Sequence, residues 1–199
     1  SLDRMELVDV RRDGRPMRTS PLWGGYEGLS ISPDGRYVLF VGDTPPGSQN
    51  GPECWVRDLV EHTTHRISAP IVGGPGLGCL YAVMSGNDQL IAFQAGTTGH
   101  HRIYLRDRQT HTLTYIKGAG GTQASLTDAL NANGDLVAFD SSSSKLVPGD
   151  TNGVADVFLY NRINRRIPRV SLPASGVQGN AAINTPPIAS DGRVLVVWA

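Results

Sequence analysis

Hydrophobic and polar residues alternate in short runs along this chain, and the runs recur. Gly35-Arg-Tyr-Val-Leu-Phe40, Asp88-Gln-Leu-Ile-Ala-Phe93, Gly134-Asp-Leu-Val-Ala-Phe139 and Gly192-Arg-Val-Leu-Val-Val197 superpose, with last residues 53, 46 and 58 positions apart. Each follows a turn: Ser32-Pro-Asp-Gly35, Ser85-Gly-Asn-Asp88, Asn131-Ala-Asn-Gly134 and Ala189-Ser-Asp-Gly192. Asp-Gly and Asn-Gly are strong hairpin signals, because these residues reach positive φ at low cost. The period is two, so these are strands and not helices. A second match lies downstream in Trp55-Val-Arg-Asp58, Tyr104-Leu-Arg-Asp107 and Phe158-Leu-Tyr-Asn161. From Arg57 to Ser68, Arg106 to Lys117 and Tyr160 to Ser171 the length is 12 each time, so this hairpin keeps its register.

Each repeat therefore predicts four strands. In the third they are Thr127–Leu130, Leu136–Asp140, Asp156–Asn161 and Ile167–Leu172, and length varies only in the loops after the second and fourth. Four short antiparallel strands at a period near 50 residues fit the blades of a β-propeller. A sandwich spaces its strands regularly too, but does not need the same sequence every four strands. The expectation is an all-β chain, 1–199, forming one propeller array with repeats at 27–70, 79–117 and 127–172. A split partial blade is expected from 5–10 and 186–199. Two endings stand open: a small ring closed by the termini, or part of a larger ring completed by another chain. The edge Val194-Leu-Val-Val-Trp198 would invite pairing or self-association.

Ser32-Pro-Asp-Gly-Arg-Tyr-Val-Leu-Phe40 resembles the Ser-Pro-Asp-Gly-Arg signature of the WD40-like repeat in TolB-type propellers. Lys145-Leu-Val-Pro-Gly-Asp-Thr-Asn-Gly-Val-Ala-Asp-Val-Phe-Leu-Tyr160 is similar to a longer element of a bacterial, mostly secreted or surface branch of those repeats. Arg169-Val-Ser171 and His65-Arg-Ile-Ser68 match that branch's last strand. Two departures are Gly86-Asn-Asp88, which lacks the Pro, and Tyr160-Asn161, which replaces an Arg-Asp pair. The resemblance implies a propeller fold and a periplasmic, secreted or cell-surface location. It names no function, since one fold serves many.

Charge narrows the field. Eighteen basic and 18 acidic residues balance, which argues against a nucleic-acid arm or a polybasic membrane surface. No apolar stretch approaches the roughly 20 residues of a membrane span. Ser1 to Val10 are too polar for a signal peptide, so the expectation is that any such segment was removed or never present. All the basic residues but Lys117 and Lys145 are Arg. The groups Arg11, Arg12, Arg15, Arg18 and Arg162, Arg165, Arg166, Arg169 read as solvated faces.

No catalytic constellation emerges. A serine-hydrolase elbow needs Gly-x-Ser-x-Gly at a strand-to-helix turn, and Gly28-Leu-Ser30-Ile-Ser32 lacks the last Gly and precedes a hairpin. His100 and His101 are adjacent on a strand and point to opposite faces, while His62, His65 and His111 fall on outer hairpins. Phe40, Phe93, Phe139 and Trp55, Tyr104, Phe158 recur in place and read as inter-blade core. Trp23 and Tyr26 stand apart in a Gly-rich loop, as either a binding platform or a loop anchor. Cys54 and Cys79 begin strands at one end of neighbouring blades, so a disulfide and two buried thiols are both open.

The sharpest site candidate is calcium at Asp150, Asn152 and Asp156. Hard cations take several oxygen ligands, and Asp150-Thr-Asn152-Gly places them at alternate positions before Asp156. The distal Glu of an EF-hand is missing; the first repeat keeps a degenerate version ending at Glu53, and the second has Arg102 there. The plain alternative is side chains capping turns. Three function classes remain: a non-catalytic interaction module of an exported bacterial protein that binds a protein or glycan through its loop face, a carbohydrate-binding or lyase propeller, and an assembly piece completed by another chain. No cofactor is required in any of them, calcium being the one candidate.

Overall fold

The first three recurrent turns fold into the same hydrogen-bonded cradle in the computed structural model, which describes residues 6–11, 13–17, 30–42, 51–69, 78–97, 100–121, 130–172 and 187–193, together with 126, 176 and 195. In the first, Ser32 Oγ donates to Asp34 Oδ1 (2.6 Å) and accepts the Tyr37 N–H (2.8 Å). Asp34 Oδ1 also accepts the Arg36 N–H (2.9 Å). Ser85 with Asn87 and Asn131 with Asn133 reproduce these bonds one and two repeats later. The turn residue with positive φ is Gly35, Asp88, Gly134 and Gly192 in succession, at +73°, +60°, +73° and +73°. Short polar side chains thus supply the partners that the reversing backbone lacks.

The turns join strands into meanders. The first sheet runs in the order β1 (Ser30–Ile31), β2 (Tyr37–Gly42), β3 (Glu53–Asp58) and β4 (Thr63–Arg66), all antiparallel. The second repeats it with β5 (Tyr81–Met84), β6 (Leu90–Thr97), β7 (His100–Asp107) and β8 (Leu113–Gly121). In the third, β9 (Leu136–Ser141) pairs β10 (Asp156–Asn161), and bridges Leu130–Val137 and Phe158–Arg169 extend it on both sides. An Ile188–Leu195 bridge begins the next unit. The partial blade expected from 5–10 and 186–199 otherwise falls mostly outside the described residues, as does most of the Val194–Trp198 edge. The described residues contain no helix, and so none long and apolar enough to cross a membrane.

The β3–β4 hairpin and its equivalents share one device. Asp58 Oδ1 accepts the N–H groups of Val60 and Glu61, Asp107 Oδ1 those of Gln109 and Thr110, and Asn161 Oδ1 those of Ile163 and Asn164. Each hairpin then closes through a left-handed residue: His62, His111 and Arg165, with φ between +52° and +59°. This explains the constant 12-residue length.

Period-two alternation sends each strand's side chains to two different neighbours. Ile91, Phe93 and Ala95 of β6 pack with Leu39, Cys54, Val56 and Ile67 of the first blade. Ala92, with Ile103, Leu105 and Ile116, packs with Val137, Phe139 and Phe158 of the third. The core is therefore a series of inter-blade layers. Aromatic pairs brace them across the register: Phe93 stacks on Tyr104 (5.4 Å between centroids) and Phe139 on Phe158 (5.7 Å).

Turns of successive blades also touch. The Asn87 N–H donates to the Ala132 carbonyl (2.8 Å), and the Ala132 N–H donates to that of Ser190 (2.8 Å). A Cβ on Gly134 would lie 2.5 Å from Leu90 Cδ1, and one on Gly192 would lie 2.7 Å from Leu136 Cδ1. Leu90 and Leu136 are equivalent positions, so the second and third blades each press a leucine against the next turn's glycine.

Candidate functional site

The same cleft opens twice between blades. The first, about 340 Å³, is lined by Tyr37, Val56, Asp58, His65, Arg66 and Ile67 of one blade, with Arg106, Arg108 and His111 of the next. The second, about 610 Å³, has Leu90, Leu105, Asp107, Thr114, Tyr115 and Ile116 at the same repeat positions, with Tyr160, Arg162 and Arg165 across. Asp and Ile are kept at the frame positions, where Asp58 and Asp107 tie their hairpins. The walls differ. The first is cationic, and the second carries two tyrosines and two threonines, Thr112 being the other.

In the first cleft the only lining carboxylate is already committed. Arg36 grips Asp58 through Nε and Nη2 (2.8 Å at the shortest). Burial pushes the Asp58 carboxyl up, but Arg36 and the Val60 and Glu61 amides outweigh it and bring it down to about 2. Arg106 is buried and reaches back to the first blade, donating to the Ile67 carbonyl (3.0 and 2.9 Å), the Ala69 carbonyl and His111 O (3.1 Å). Burial alone pushes its guanidinium below its ordinary value. Arg57, one repeat earlier, likewise donates to His62 O (2.7 Å) and pairs with Glu6 (3.2 Å). Arg108 lies over the Tyr37 ring (3.7 Å) and donates to Asp88 O (2.6 Å).

At the opposite end of the strands the structure brings Asp150 and Asp156 together around Arg169. Arg169 Nη1 lies 3.0 Å from Asp156 Oδ2 and 3.5 Å from Asp150 Oδ1, with all three side chains buried. Ser171 Oγ donates to Asp156 Oδ1 (2.7 Å) and accepts the Val157 N–H (3.2 Å). Asn152 Nδ2 reaches Asp156 Oδ2 (3.5 Å), while Asn152 Oδ1 accepts the Val154 N–H (3.3 Å). Burial, then the Asp156 charge, push the Asp150 carboxyl above its ordinary value against the pull of Arg169. Its Oδ2 is buried and has no hydrogen-bond partner among the described residues. Among the described residues no three His, Cys, Asp or Glu side chains cluster.

Repeat comparison explains this knot. Glu53, Arg66 and Ser68 occupy the same three positions in the first blade. Ser68 Oγ donates to Glu53, and Arg66 Nη1 stands 3.9 Å from that carboxylate. The second blade inverts it, placing Arg102 over the Tyr115 ring (5.6 Å). Arg169 thus departs from the solvated face expected of its group, because two carboxylates draw it inside; Arg165 and Arg166 are exposed as expected. Cys54 and Cys79, with Cα atoms 5.4 Å apart, are paired as a disulfide that joins β3 to the residues entering β5. Trp23 and Tyr26 lie outside the described residues. The cleft cations were not singled out in the sequence. Their signal was there, as aligned hairpin positions where residues change between repeats while the frame does not.

No family model matches the chain, and no curated protein matches it. Solved structures do. TolB from Acinetobacter baumannii aligns with a TM-score of 0.58 at 16% identity, over 86% of this chain and 37% of that one. Dipeptidyl peptidase 4 of Porphyromonas gingivalis aligns at 0.56 and 17%, over 91% and 30%. An oligogalacturonate lyase in complex with manganese aligns at 0.50 and 12%, over 81% and 42%. The fold is that of a β-propeller built from four-stranded antiparallel blades. TolB-type propellers are among its structural neighbours, and the chain spans well under half of each aligned structure.

Proposed function

We propose that the chain is a non-catalytic interaction module of an exported bacterial protein, binding a protein or glycan through surfaces between its blades. One observation carries this: two positionally equivalent clefts keep their frame and differ in their walls. Recognition surfaces vary on a constant scaffold, whereas a catalytic site needs one fixed constellation. The test exchanges the walls. His65→Thr with Arg66→Tyr gives the first cleft residues that the same hairpin carries one repeat later, so the fold is retained. Saturable binding of a peptide or oligosaccharide that this exchange abolishes or redirects supports the reading. Turnover of peptide or uronate bonds by the purified chain overturns it.

The second cleft supports an alternative. Tyr115, 39% exposed, offers ring surface on which a sugar can stack, as carbohydrate binding or a lyase subsite would require, with the buried Tyr160 in the wall beside it. Trp23 and Tyr26 are proposed as a further platform of the same kind, and completion by another chain through the 194–198 edge as an assembly role. We also propose calcium at Asp150, Asn152 and Asp156. Two buried carboxylates face one guanidinium, and among the described residues no donor reaches the second Asp150 oxygen. A net buried negative charge requires a proton or a cation. Millimolar calcium should raise the thermal midpoint over chelator, and Asp150→Asn should abolish the difference. Identical midpoints in the two buffers refute the site.

A further inference from the structure

The geometry points to the cleft between the first and second blades as a site for an acidic peptide segment, contacted through Arg66, Arg108 and the two imidazoles. This rests on the interaction-module reading and names its ligand chemistry. Three guanidinium groups and two imidazoles line the cleft against one carboxylate, and that carboxylate is held by Arg36 outside the lining set. Arg106 spends its donors on carbonyls, so its charge is present without a counter-ion while its hydrogen bonds are filled. Donors remain elsewhere. Among the described residues Arg66 meets only the Glu53 carboxylate, at 3.9 Å, and Arg108 makes one side-chain hydrogen bond, to Asp88 O. Among the described residues the His65 and His111 side chains have no polar partner and are exposed. A ligand entering here meets donors and positive charge at the rim and aliphatic surface from Val56, Ile67 and Ala69 beneath. Carboxylates on short aliphatic stems match both. A sugar ring does not, because the face of Tyr37 on which it would stack is covered by Arg108 at 3.7 Å. The sister cleft, with Tyr115 and Tyr160 in place of Arg66 and Arg106, is the built-in contrast.

Calorimetric titration of the full chain with hexaglutamate, hexaglutamine, a trigalacturonate and inorganic phosphate tests this. Hexaglutamate should bind, hexaglutamine should not, and added salt should weaken the binding. Arg66→Gln with Arg108→Gln should reduce affinity by about tenfold or more. Since Arg108 also packs on Tyr37, His65→Glu provides a second variant on an exposed strand position; it should weaken binding without lowering the thermal midpoint. Trigalacturonate or phosphate binding as tightly as hexaglutamate overturns the peptide assignment, and so does hexaglutamate binding that ignores both variants. Failure to bind any anion, while a neutral glycan or peptide still binds, removes this inference and leaves the module reading standing. Bond cleavage removes the module reading itself.

Discussion

Gly35 and Gly134 hold the same place in their turns with the same φ of +73°, yet their surroundings differ. No heavy atom of the described residues lies within 4 Å of a Cβ built on Gly35, whereas one on Gly134 comes 2.5 Å from Leu90 Cδ1 and 3.1 Å from Leu90 Cβ. Alanine at either position bears the left-handed backbone penalty of about 1–2 kcal/mol. Only Gly134→Ala must also displace a leucine that is itself 2% exposed, at the roughly 1–3 kcal/mol typical of overpacking. Gly35→Ala should therefore lose about 1–2 kcal/mol and Gly134→Ala about 2–5. Urea unfolding measures both, with the midpoint moving and the slope unchanged. Leu90→Ala in the Gly134→Ala background relieves the clash, so the double variant should lose less than the sum of the singles. Equal losses for the two alanine variants, or strict additivity with Leu90→Ala, would refute blade-on-blade packing through the turn glycines.

Phe139, fully buried and stacked on Phe158, should cost about 3–5 kcal/mol as Phe139→Ala in the same assay; under about 1 kcal/mol would contradict its place in the inter-blade layer. Asp58, with its carboxyl brought down to about 2 from 3.8, contributes stability that is complete above pH 4 and lost as pH falls toward 2. Asp58→Asn should flatten stability against pH in that window while keeping the hairpin, since Asn161 serves in the equivalent turn. Titration of the denatured, unreduced protein should find no reactive thiol; two would refute the Cys54–Cys79 bridge.

Local chemistry was legible in the sequence and long-range pairing was not. The turn cradles follow from Ser, Asn, Asp and Gly within a few residues, and the hairpin from Asp58, Asp107 and Asn161 in constant register. The Phe93 and Phe139 positions declare themselves by recurrence, because a repeat must bury the same surface each time. The Asp150–Arg169 pairing joins a position in the connection before β10 to one 19 residues on, at the bridge to Phe158, so the run Asp150-Thr-Asn152 read as a cation loop without revealing the guanidinium between the carboxylates. The cleft walls were hidden for a related reason. Each takes residues from two repeats, and only stacked blades show that Arg66 of one and Arg108 of the next line a single opening.

The forward hydrogen bonds from Asn87 to Ala132 and from Ala132 to Ser190 run through the tight turns, at one end of the strands. Mechanically they form a lace from the second turn to the fourth. The blades are laced at that rim by main-chain bonds that side-chain substitution leaves in place, while the long connections at the other rim carry the length variation. Insertions there are absorbed as slack, and the spacing of the second blade from the third, which sets the width of the cleft between them, is governed from the laced side. Evolution can thus lengthen one rim of such an array freely without retuning the openings that the other rim holds in gauge.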